Sequence, residues 1–153
     1  MATVITSAGA AVAPSGRPGQ SHLIYAENGA LWWLFWVNHS SQTTLRTASS
    51  PDGTTWTTRN TFTLTASQER GSNFAVAYKN ISSNDVVHIA LCYFVSGPQQ
   101  RIRHVRASMS GTTITFDTEN QVNADMATFD GNNNESGAAI TIASDNYPHI
   151  SQS

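Results

Sequence analysis

The chain has 153 residues, of which 39% are hydrophobic and only 12% charged, with a formal net charge of -2; this suffices for one ordinary domain with a buried core and is unlike a disordered tail. Its seven arginines and single lysine, Lys79, are scattered apart from Arg101, Arg103 and Arg106, which argues against non-specific nucleic-acid binding, since phosphate neutralisation needs clustered cations. The longest apolar run, residues 30–37, is too short to cross a bilayer as a helix, and the first residues lack the basic start and long apolar middle of a secretion signal.

Residues 1–15 hold one β-capable piece, Thr3-Val-Ile-Thr6, and then a Gly/Ala/Pro stretch that reads as a linker. A first unit over 16–67 opens on Arg17-Pro-Gly-Gln-Ser-His-Leu-Ile-Tyr25, with strands expected over 22–26, 31–38, 43–49 and 55–63. Glu27-Asn-Gly29, His39-Ser-Ser41 and Pro51-Asp-Gly53 supply turns between them. In Ala30-Leu-Trp-Trp-Leu-Phe-Trp-Val37, strand alternation places Trp32 and Trp36 on one face with Leu34, and Trp33 on the other with Phe35 and Val37. Apolar side chains on both faces predict a strand sandwiched between neighbours; a sugar platform at Trp32 or Trp33 is the alternative.

A second unit over 68–134 repeats the order. It opens on Arg70-Gly-Ser-Asn-Phe-Ala-Val-Ala-Tyr78, 53 positions after Arg17, and its turn at Ser108-Met-Ser-Gly111 places Gly111 58 positions after Gly53. Strands are expected over 74–78, 86–95, 100–107 and 112–118, and residues 122–134 read as a longer loop. Cys92 lies in an apolar run and reads as a small core residue; a lone thiol makes no intrachain disulfide. A third unit starts within 135–153, at Glu135-Ser-Gly-Ala-Ala-Ile-Thr-Ile-Ala143. His88 and His149 fall at one repeat position, with Trp33 its counterpart in the first unit. A position that accepts Trp or His is a packing slot with a polar tip, not a metal ligand. Asp125, Asp130 and residues 132–134 lack the spacing of a calcium loop. Neither a metal nor a cofactor is expected.

Self-similarity at this period indicates an all-β chain of four-stranded antiparallel meanders, the blades of a β-propeller, about two and a half to three of them. Ser50-Pro-Asp-Gly-Thr-Thr-Trp56 resembles the Asp-box of sialidase-like β-propellers, and the repeat blocks are similar to those of uncharacterised phage and environmental propeller proteins. The resemblance implies that Asp52 caps the turn before the fourth strand beside Ser50 and Gly53, and that Trp56 packs between blades. It also implies that Arg17 and Arg70 stand at the mouth of a central channel, where they would hold an anion such as a carboxylate; pairing with an acid such as Glu69 or Glu135 is the alternative. The Arg-Ile-Pro element and a Tyr/Glu nucleophile pair of sialidases are not assignable, so no catalytic residue is named. The expectation is a non-enzymatic module for surface attachment or assembly, on a virion or cell surface, working as a homo-oligomer or with the remaining blades of a larger propeller. A sialidase-like glycosidase and a glycan-binding lectin are the alternatives.

Overall fold

Turn residues divide the chain into short β-branched and aromatic runs, and each run forms a strand. The structure is a computed structural model that describes residues 21–37, 44–64, 70–94, 100–122 and 138–152. It is all-β, and every strand pairing is antiparallel. No described helix is long and apolar enough to cross a membrane. The expected elements at 1–15 and Arg17 lie outside the described residues, as does most of the 122–134 loop.

The first sheet runs β1 (Ser21–Ala26), β2 (Leu31–Val37), β3 (Thr44–Ser50), with β4 (Thr57–Thr58) and β5 (Phe62–Thr63) both paired to β3. One continuous strand was expected over 55–63, and the ladder breaks at Arg59 and Asn60 instead. The register shifts there, residues 59–61 of the outer strand standing against 46–47 of β3. The Arg59 amide still donates to the Thr47 carbonyl at 2.8 Å, while the Thr47 hydroxyl donates to the Asn60 carbonyl and Arg59 Nε to Ser49 Oγ, both at 2.7 Å.

The second sheet comprises β6 (Arg70–Ile81), β7 (Asn84–Phe94), β8 (Gln100–Ser110), β9 (Thr113–Phe116) and β10 (Asn120–Gln121), in the order β10-β8-β7-β6 with β9 also on β8. Its outer strand is therefore interrupted as in the first sheet. β6 is longer than the expected 74–78 because Ser82 and Ser83 both take positive φ, 50° and 66°, and close a two-residue hairpin in step with the strand twist. A final hairpin joins β11 (Ala138–Ile142) to β12 (Pro148–Gln152).

In the ladders Ile24 pairs with Trp33, Ala77 with His88 and Thr141 with His149, at different distances from their turns. The side of β1–β2 carrying Ile24, Trp33 and Phe35 packs on the side of the second sheet carrying Phe74, Val76, Val87, Ile89 and Val105, and this seam is the main hydrophobic core. On the opposite side of the second sheet, β11 approaches β6 and β7, and Lys79 Nζ donates to the Ala143 carbonyl at 2.8 Å.

Candidate functional site

Asp52 organises the turn that follows β3. Its Oδ1 accepts the Thr54 and Thr55 amides at 2.8 and 2.7 Å and the Ser50 hydroxyl at 2.9 Å. Those amides, Thr55 first, and then the Ser50 hydroxyl hold the carboxyl well below the usual carboxylate range. Gly53 takes φ +71°, a conformation that favours glycine, with the Trp32 indole at van der Waals distance from where a Cβ would stand. Trp56 is half-buried. The second copy of this turn is built differently. Ser110 stands where Asp52 does, and without the carboxylate the chain closes a two-residue hairpin, Ser110 pairing with Thr113.

Beside the Asp52 turn lies an open apolar face. Cross-strand partners point to one side of a sheet, so Leu23 with Leu34 and Tyr25 with Trp32 share a surface. Leu23 is 56%, Tyr25 43% and Trp32 37% exposed, and the Tyr25 and Trp32 rings lie 5.0 Å apart at 58°. Trp33, on the reverse side, is 0% exposed. Further along the same face as Trp32, Trp36 and Ala48 are buried, so the expectation of a strand covered on both faces holds for the Trp33 face and part of the other, and of the two candidate tryptophans Trp32 keeps a ring toward solvent. Arg46 pairs with Trp36 on this surface, and its Nε has no hydrogen-bond partner.

The seam between the sheets carries a polar latch. Asp85 is 1% exposed and receives the Gly29 amide at 3.0 Å, the Asn28 amide at 3.3 Å and the Tyr78 hydroxyl at 2.7 Å. The Tyr78 oxygen in turn accepts the Glu27 amide at 2.9 Å. Burial first, and the Asp85 carboxylate second, push the Tyr78 phenol up to about 12. A Cβ at Gly29 would lie 3.4 Å from the Gly111 carbonyl, so the two turns approach closely here. The turn from Glu27 to Ala30 is thus clasped by the second sheet. The sequence reading missed Asp85 and Tyr78 as a pair; an acid opening a wholly apolar strand was the available signal.

On the second sheet's other side, His88 Nδ1 and His104 Nε2 are 2.9 Å apart, one donating and one accepting, with rings stacked at 5.1 Å. Burial, then His104 and Arg106, bring His88 down to about 4, and burial lowers His104. Arg106 pairs with Asp117 at 3.0 Å. Among the described residues no cluster of His, Cys, Asp or Glu could hold a metal ion. His149, in the slot equivalent to His88, is exposed.

The expected channel-mouth pair is only partly placed: Arg17 lies outside the described residues, and Arg70 begins β6 with its side chain outside them, as is that of Cys92. Comparison of the chain with protein-family models, with characterised proteins and with solved structures found no match. Its own geometry is thus the basis for a functional assignment.

Proposed function

We propose that the sheets are successive blades of a β-propeller and that the chain is a non-enzymatic module for surface attachment or assembly, of the kind borne on virions. The observation that carries this reading is the stacking of a hairpin on each side of the second sheet, with β6 approaching both β1 and β11. Hairpins stacked face to face with their first strands adjacent are what neighbouring blades require. The Ser/Thr/Asn-rich, weakly charged composition supports an exterior setting.

Glycoside hydrolysis asks for an open pair of carboxyl groups flanking the sugar. Among the described residues Asp52, Asp85 and Asp145 accept turn amides and Asp117 and Glu119 face arginines, which leaves the exposed Glu27 as a single carboxylate and not a pair. That engagement supports a non-enzymatic role. The test is incubation with fluorogenic sialosides and hexosides, where no turnover is expected; release of the fluorophore that survives repurification would overturn this reading.

One observation favours a second reading, a glycan lectin: the solvent-facing Trp32 ring next to Tyr25. It requires retention on a glycan array that Trp32→Ala abolishes. Absence of retention removes it and leaves assembly.

A further inference from the structure

Each hairpin in this chain has two unlike faces, and the molecule uses them in a fixed direction. The leading face carries Tyr25 and Trp32 in the first sheet, Tyr78 and Val87 in the second, and Ile140 and Ile150 in the third hairpin. The trailing face carries Ile24 and Trp33, then Ala77 and His88, then Thr141 and His149. At the first seam the trailing face of one sheet buries the leading face of the next. At the second, β11 lies over β6 and β7 with Ile140 and Ile150 half-buried and Thr141 and His149 exposed, so the polarity is the same.

Among the described residues two faces keep exposed positions, and they are of opposite kind. The leading face of the first sheet is open at Leu23, Tyr25 and Trp32, while Trp36 and Ala48 further along it are buried. The trailing face of the last hairpin is open at Ala139, Thr141, His149 and Ser151, which help to line a shallow groove of about 220 Å³. A pairing of this chemistry already exists inside the chain, since β11, with Ile140 half-buried, lies against the small and polar trailing face that carries Ala77 and His88.

We propose that the open leading face binds the open trailing face of a second copy of this chain, so that copies associate head to tail. The inference rests on the blade reading above and adds the partner and the direction. A contact between unlike faces is heterologous, and it closes into a ring where the rotation per sheet allows.

Light scattering on the full chain tests this, using Leu23→Arg on the leading face and Thr141→Arg on the trailing face. Both positions are exposed, and circular dichroism checks that each variant keeps its strand content. The wild-type protein is expected to form a discrete multimer and each variant a monomer. An equal mixture of the two variants is expected to recover a dimer, because one intact leading face then meets one intact trailing face. A monomeric wild type overturns the proposal, whether the face is covered from within the chain or by a glycan. Persistence of a Thr141→Arg dimer also overturns it, because like faces would then be pairing. A monomer that keeps the Tyr78–Asp85 coupling defeats this inference alone, whereas loss of that coupling undermines the blade seam itself.

Discussion

Replacing Asp85 by alanine should be among the most damaging single changes outside the apolar core. The carboxylate is 1% exposed and accepts from the Gly29 and Asn28 amides and the Tyr78 hydroxyl. Hydrogen bonds to a charged acceptor contribute about 1.5–3 kcal/mol each, and a buried donor left without a partner costs about 1–3 kcal/mol. Water can reach part of the turn from Glu27 to Ala30, where Glu27, Asn28 and Ala30 are exposed, so the full sum will not appear. A net loss of about 3–4 kcal/mol is expected, or about 6–16 °C in melting temperature for a chain of this length. Guanidinium unfolding followed by tryptophan fluorescence measures it, with Trp33 buried in the same seam as reporter. A double-mutant cycle with Tyr78→Phe should give a coupling of about 1–2 kcal/mol, since both side chains hold one turn. A loss below about 0.5 kcal/mol, or simple additivity of the two changes, would refute the latch.

Trp33 Nε1 is buried without a hydrogen-bond partner, so Trp33→Phe removes an unmet donor and should cost less than about 1.5 kcal/mol, against about 3–5 kcal/mol for Trp33→Ala, in the same unfolding assay. His88 is lowered from 6.5 to about 4, so the unfolded chain binds more protons between those values and stability is lost as pH falls through that window. The drop corresponds to about 3 kcal/mol, and screening at the half-buried His104 reduces the expected loss to about 1–2 kcal/mol, measured by denaturation at pH 7 and pH 4.5. His104→Gln should flatten that slope; an unchanged slope would assign it to other groups. Gly53→Ala forces a side chain into φ +71° with only ordinary contact to Trp32, and should lower stability by about 1 kcal/mol by backbone strain alone, read from the unfolding midpoint.

What could be read in advance was local and periodic. Alternation in residues 31–37 assigned Trp33, Phe35 and Val37 to one face, and they are buried together. Asp52 and Gly53 act through amides two and three positions away and a single φ angle, so their turn was legible as well. Asp85 was not, because its partners Asn28 and Gly29 lie 57 and 56 positions earlier, and no local pattern encodes such a pairing. The break in the outer strand escaped for a related reason. Nothing at Asn60 forbids a strand; the Thr47 hydroxyl of the neighbouring strand takes its carbonyl.

The difference between Trp32 and Trp33 lies at another level again. Both sit in one apolar run, and residue type alone gives neither a reason to be wet. Trp33 is dry because the second sheet follows the first, and Trp32 is partly exposed because no described residue occupies the corresponding place before it. Trp33, His88 and His149, matched in the sequence, make the same point from the other end. The indole is buried between the two sheets and the hydrogen-bonded His88 imidazole is buried on the far side of the second sheet, while His149 stands exposed. In a stacked array, burial at a given slot is set by position in the stack as much as by the residue occupying it. The tyrosines at the matching leading-face position fit that rule. Tyr78 works as a latch because the turn from Glu27 to Ala30 reaches it, whereas Tyr25 is exposed with its ring against Trp32.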